Sequence, residues 1–216
     1  MEDEQLYHRI GRCGIVATLI VDDPNKAVAL AHSLLAGNID VMELTLRTPG
    51  AYDALAAVKS KVPEMLTGVG TVLQIDQLDK IAELGADFAV APGMNPKIIK
   101  HASRIGMPFA PGVCSPSEIE SAIELGCTIL KFFPAEPAGG IKYLTSMAAP
   151  YAHLGLKYIP LGGLNSENMV DYLSSDLILA VGGSWIAPRN AINDGDWATI
   201  TKNTKNATKK IKEIRG

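Results

Sequence analysis

Ser115–Phe133 reads SPSEIESAIELGCTILKFF. Its first half places Ile119, Ala122 and Ile123 three and four residues apart, the spacing of one helix face. Ser115 and Pro116 open that helix as a cap residue followed by proline in the first turn. Gly126 closes it, where a left-handed cap favours glycine. The second half, Thr128–Phe133, is a short apolar run interrupted by one lysine, sized for a buried strand. The stretch is therefore predicted to be helix, tight turn, strand.

The same unit recurs in both directions. Strands are predicted at Ile15–Val21, Asp40–Leu46, Met65–Gly70, Phe88–Ala91, Pro108–Pro111, Thr128–Phe133, Tyr158–Leu161 and Leu177–Val181. Helices are predicted at Asn25–Ala36, Ala51–Lys61, Ile75–Leu84, Pro96–Ile105, Pro116–Leu125, Ile141–Ala149, Ser166–Leu173 and Trp197–Ile214. Eight such units in 216 residues leave roughly 27 residues each. The strands are apolar throughout, as strands buried on both faces of a parallel sheet are. The expected fold is α/β, a single (β/α)8 TIM barrel over residues 1–216, with a doubly wound open sheet as runner-up.

Composition narrows the function classes. Hydrophobic residues make up 47% and charged residues 20%, enough apolar material for one core and too little charge for disorder. A net charge of -3 provides no global basic field for nucleic acid. The Lys- and Arg-rich end from Lys202 to Gly216 reads as a solvated helix face. Met1–Arg12 is polar and acidic, without the apolar centre of a signal peptide, and no apolar run approaches the ~18 residues of a membrane span. Three scattered cysteines form no CxxC pair, which fits a reducing cytoplasm.

Barrel chemistry sits at the C-terminal strand ends, so polar residues interrupting strands there are the candidates. Glu43 lies between Met42 and Leu44 in the second strand. A carboxylate there is costly unless paired or working, and an ion pair with Arg47 on the same strand face competes with a catalytic role. Lys131 follows Ile129-Leu130 and precedes Phe132-Phe133. Desolvation favours the neutral amine that Schiff-base chemistry requires. The alternative is a lysine snorkelling from the mouth with its ammonium in water. Glycine turns at Gly68–Thr71, Gly162-Gly163 and Gly182–Ser184 end three strands, and the last two follow strands seven and eight, where barrels commonly bind phosphate. The four histidines fall away from the strand ends without ligand spacing, so no metal or other cofactor is expected. Cys114 reads as a small loop residue, with no base in view to make it a nucleophile.

Taken together, Glu43–Arg47 (ELTLR), Gly68–Val72 (GVGTV), Ala91–Gly93 (APG), Pro111-Gly112, Leu130–Glu136 (LKFFPAE), Gly162-Gly163 and Gly182–Trp185 (GGSW) resemble a known family. It is the class I aldolases of 2-keto-3-deoxy-6-phosphogluconate (KDPG) and 4-hydroxy-2-oxoglutarate (KHG). The resemblance implies a homotrimeric, metal-free lyase that cleaves a phosphorylated keto-deoxy sugar acid to pyruvate and glyceraldehyde 3-phosphate. It implies that Lys131 forms the Schiff base, Glu43 shuttles protons and Arg47 holds the substrate carboxylate. Thr71, Pro92 and Gly93 would line the pyruvate end, with Phe133 beside the imine. Gly162, Gly163, Gly183 and Ser184 would hold the phosphate.

One position departs. Gluconate-type members usually carry threonine before the Gly-Gly turn, and here it is Leu161. An apolar residue there suits relatives that handle the galactonate epimer, so Leu161 is expected to relax or shift selectivity at C4. The galactonate epimer and KHG are alternative substrates. A phosphosugar isomerase or a non-catalytic phosphosugar-binding barrel are alternative functions that would not need Lys131.

Overall fold

A computed structural model describes residues 2–216; Met1, the first residue of the polar N-terminus, lies outside them. In chain order the elements are α1 (Glu2–Cys13), β1 (Ile15–Leu19), α2 (Ala27–Leu35), β2 (Val41–Thr45), α3 (Ala51–Lys61), β3 (Leu66–Gly70), α4 (Ile75–Glu83), β4 (Phe88–Val90) and α5 (Pro96–Arg104). They continue with β5 (Phe109–Ala110), β6 (Gly112–Val113), α6 (Pro116–Glu124), β7 (Ile129–Phe132), α7 (Gly140–Ala148), β8 (Lys157–Pro160), α8 (Met169–Leu173), β9 (Val181–Gly183), α9 (Arg189–Asp194) and α10 (Trp197–Arg215).

Local chemistry fixes many of these boundaries. Ser115 Oγ accepts from the Glu118 N–H at 3.4 Å, and the Glu118 carboxylate accepts from the Cys114 N–H at 2.8 Å. That reciprocal capping starts α6 as predicted. Asn95 caps α5 by accepting from the Lys97 N–H, and Asp23 caps the short 3-10 turn Pro24–Lys26 ahead of α2. Gly126 turns out of α6 at φ 80°, a conformation open to glycine.

All strand pairings are parallel, which bears out the α/β class. The ladder, however, forms two sheets, β5-β4-β3-β2-β1-β9 and β6-β7-β8, rather than the one closed eight-stranded ring expected. Pro111 supplies part of the reason. It has no N–H, so the predicted fifth strand ends there, and a further short strand, β6, resumes at Gly112. Ala110 pairs with Val90 on one side of the break, and Gly112 pairs with Lys131 on the other. At the second seam a single bridge joins Tyr158 to Ile178. The predicted eighth strand, Leu177–Val181, is therefore mostly irregular, and its ladder begins only at Val181.

The core lies on both faces of the strands. Leu30, Leu34, Leu55, Val58, Leu78, Ile81 and Ile200 from the helices are fully buried against them. Each such side chain contributes about 1.5–3 kcal/mol. Helices α1 and α9 have no counterpart among the predicted elements. The signal for α1 was present: Leu6, Tyr7, Ile10 and Cys13 recur at helical spacing and pack on the core. Arg9 and Arg12 tie α1 to Asp40 at 2.9 and 3.0 Å.

Arg215 fastens the weakly laddered seam. Its guanidinium donates to the carbonyls of Gly11 (3.1 Å), Ile178 (2.7 Å) and Leu179 (2.9 Å). Burial lowers its pKa from the usual value. Arg215→Ala should lower the melting temperature by about 2–4 °C, the shift for about 1 kcal/mol in a chain of this size. A differential scanning trace matching the parent would show that these bonds hold nothing.

Candidate active site

Glu43 sits in β2 of the larger sheet and Lys131 in β7 of the smaller one. Their side chains meet across the interior, with Lys131 Nζ 3.5 Å from Glu43 Oε1. Lys131 is 6% exposed and Glu43 1%. Two of the sequence alternatives thereby fall away. The partner of Glu43 is Lys131 and not Arg47, and the lysine does not snorkel into water. A buried pair of this kind is weak evidence for stability, because desolvation offsets much of the attraction. It is better evidence for chemistry.

Neighbouring strands shape the pocket around the carboxylate. A Cβ on Gly70 would lie 1.8 Å from Glu43 Oε1, so any larger residue would displace it. Thr18 Oγ1 lies 3.4 Å from Glu43 Oε2, from β1 next door. Gly70 is expected from sequence only as part of a turn, and Thr18 is not among the sequence-predicted site residues. Thr18 was readable as a hydroxyl inside the apolar run Ile15–Val21.

Phe133 and the Pro92-Gly93 turn stand on the side of the amine, and Thr71 and Arg47 follow the ends of β3 and β2. Phe133 follows β7 directly, and its ring centroid is 5.6 Å from Lys131 Nζ. The Pro92-Gly93 turn lies on Gly112, which stands beside Lys131 in the ladder. A Cβ on Gly112 would approach the Pro92 carbonyl oxygen to 2.2 Å. At Gly93, in contrast, an added Cβ meets nothing within 4 Å, so sterics do not demand glycine there. Thr71 leaves β3 at φ 62°, a strained backbone for a β-branched residue, held at the rim of the mouth. Arg47 lies beyond the end of β2 and is exposed, its chain turning where its own N–H donates to the Thr45 carbonyl at 2.8 Å.

The turns after β8 and β9 stand at the same end. Gly162 and Gly163 adopt φ 98° and 84°. The Ala135 and Glu136 N–H groups donate to the carbonyls of Leu161 (2.7 Å) and Gly162 (2.9 Å), binding this turn to the LKFFPAE segment. Tyr172 Oη donates to Glu136 Oε1 at 2.5 Å, and burial followed by that carboxylate pushes the Tyr172 phenol upward. Leu161 is buried, seated over Gly182, where a Cβ would lie 2.3 Å from its Cγ. Gly183 is covered by the Trp185 ring, and Ser184 is exposed beyond it. Behind this turn Arg189 holds Asp22 through bonds of 2.6 and 2.8 Å. Hydrogen bonds from Arg189 and then Asn193 lower the Asp22 carboxyl to about 2. That clamp between the loop after β1 and α9 stays ionised at neutral pH.

Two groups stand apart. Cys114 is held up from its usual pKa by burial and by Glu118, so it remains a thiol. His101 sits on α5, with Nε2 2.6 Å from Asp79 and Nδ1 2.7 Å from Arg104, a structural bridge between helices. Among the described residues no helix is long and apolar enough to cross a membrane.

Known proteins resemble this chain over most of its length. KHG/KDPG aldolase of Escherichia coli strain K12 is 38% identical, over 92% of this chain and 92% of its own. The 2-dehydro-3-deoxy-phosphogluconate aldolase of Treponema pallidum is 36% identical over 91% of this chain and 92% of its own. The crystal structure of KDPG aldolase from Legionella pneumophila, with pyruvate captured at low pH as a covalent carbinolamine intermediate, superposes with a TM-score of 0.89 at 34% identity. It covers 93% of this chain and 97% of that one. Residues 7–203 match the family described as KDPG and KHG aldolase, and the chain belongs to that family.

Proposed function

We propose that the chain is a class I aldolase, a lyase that cleaves 2-keto-3-deoxy-6-phosphogluconate to pyruvate and D-glyceraldehyde 3-phosphate. The observation that carries this reading is the buried amine of Lys131 facing the Glu43 carboxylate at 3.5 Å, in a family with a covalent pyruvate carbinolamine. Lys131 attacks the C2 ketone, and loss of water from the carbinolamine leaves a protonated imine. Glu43, through a bridging water, takes the proton of the C4 hydroxyl. The C3–C4 bond breaks and its electron pair flows to the imine as an enamine. Glyceraldehyde 3-phosphate departs, and protonation at C3 followed by hydrolysis releases pyruvate.

The remaining residues bind. Arg47 offers a planar fork to the substrate carboxylate. Thr71, Pro92 and Gly93 line the pyruvate end, and Phe133 packs beside the imine. The N–H groups of Gly162, Gly163, Gly183 and Ser184 receive the phosphate. In this reading residues 1–216 form one domain whose two sheets close as a (β/α)8 barrel. Support comes from the Lys131 N–H donating to the Pro111 carbonyl at 2.9 Å, and from the Leu179 N–H donating to Tyr158 at 3.0 Å. The homotrimer and the cytoplasmic setting implied by the resemblance belong to the same proposal. Pyruvate release measured with KDPG, its galactonate epimer and KHG tests it, and release from none of the three removes it.

A second substrate reading rests on Leu161, buried where it can offer no hydrogen bond. Losing one such bond is worth about 0.5–1.5 kcal/mol, so the preference between the C4 epimers is weakened or reversed. Leu161→Thr should raise the gluconate-to-galactonate ratio of kcat/KM by about 2- to 12-fold. The same strong gluconate preference in parent and variant would remove this reading.

A further inference from the structure

We propose that Thr18 is a positioning residue for the aldol chemistry, holding the Glu43 carboxylate so that one oxygen faces the amine. The proposal rests on the aldolase reading and adds to it a residue outside the family motifs.

Thr18 and Glu43 are partners in the parallel ladder between β1 and β2, so their side chains leave the strands at the same height and on the same side. Each carboxylate oxygen then has its own neighbour. Oε1 faces Lys131 Nζ at 3.5 Å, and Oε2 faces Thr18 Oγ1 at 3.4 Å. A carboxylate with only one neighbour could rotate about its terminal torsion, which is soft. With a neighbour on each oxygen, the plane of the carboxylate is fixed by two strands, and Gly70 leaves the room it occupies.

A threonine hydroxyl has one hydrogen to give. Two acceptors compete for it at the same distance: Glu43 Oε2 and the Val16 carbonyl, each at 3.4 Å. A bond to an ionised acceptor is roughly twice as strong as one between neutral groups. The proton therefore goes to the carboxylate, and Thr18 is more than a strand threonine bonded to its own backbone. The neighbouring ladder adds a second reason for its place. Ala17 pairs with Gly183, so Thr18 stands between Glu43 on one side and the turn at Ser184 on the other. It separates the acid–base group from the end of the mouth assigned to phosphate.

The test uses the full chain with pyruvate alone, following deuterium exchange into the methyl group by NMR. That exchange needs the imine and the proton shuttle but not the phosphate end. Thr18→Val keeps the shape and removes the hydroxyl; Thr18→Ser keeps the hydroxyl and removes a methyl. Thr18→Val should lower the maximal exchange rate about tenfold, with the pyruvate KM unchanged within about twofold. Thr18→Ser should stay within about threefold of the parent. Equal losses in both variants would mean that the methyl packing matters and not the hydroxyl, and would overturn the proposal. So would parent-like exchange in Thr18→Val. A parent chain that neither exchanges the methyl protons nor is trapped by borohydride with pyruvate overturns the aldolase reading itself.

Discussion

Lys131→Met abolishes covalent capture of pyruvate and lowers aldol cleavage by at least about four orders of magnitude. Methionine matches the length of the lysine stem and fills the same space, so the mouth keeps its shape. What disappears is the amine assigned to attack the ketone, Nζ at 3.5 Å from Glu43 Oε1. Borohydride reduction in the presence of pyruvate should leave the mass of a reduced pyruvyl group on the peptide bearing Lys131 in the parent and nowhere in the variant. Removing the amine also strands a buried carboxylate. An unpartnered buried charge typically costs 3–5 kcal/mol in stability, so circular dichroism and a melting curve must accompany the assay. A folded Lys131→Met protein with intact cleavage would end the Schiff-base mechanism.

Glu43→Gln is the second large effect. The amide keeps the volume of the carboxylate and loses its ability to accept a proton, and kcat should fall by about 10²–10⁴-fold. Trapping of pyruvate should persist, more slowly, because the amine remains. Gly70→Ala offers the same outcome by a different route. Its Cβ would lie 1.8 Å from Glu43 Oε1, so the carboxylate must swing away from the lysine. Both variants should therefore lose turnover while still forming the pyruvyl adduct. Unchanged kcat in Glu43→Gln would assign the proton transfers to another group.

Much of this was readable before any coordinates. The strand–helix alternation placed each strand of the first seven units to within a few residues, because glycine caps and proline starts act locally. Lys131 and Glu43 stood out for the same physical reason that they matter: a charge is costly in an apolar strand. Their mutual distance was not readable, since 88 positions separate them and only the closing of one sheet on another brings them together. The missing N–H of Pro111 announces a break, but sequence alone reads it equally as the end of a strand. The part that Thr18 and Gly70 play beside Glu43 is not legible, because a hydroxyl and a hydrogen atom are inconspicuous in sequence. Each gains its meaning from the side chain on the next strand. The eighth strand is displaced towards Val181–Gly183 because only one bridge joins it to β8 while its ladder with β1 starts at Val181, and no local pattern announces that.

The two reacting groups belong to different sheets, and those sheets are joined by few ladder bonds at the seams beside Pro111 and Ile178. A sugar acid bonded covalently to Lys131 on one side and gripped from the opposite wall becomes a rivet through both halves. Ligand that binds only the assembled shell stabilises it by mass action. The chain is then tightest while it is working and loosest between turnovers, when product has left and the halves are held by their own stitching alone.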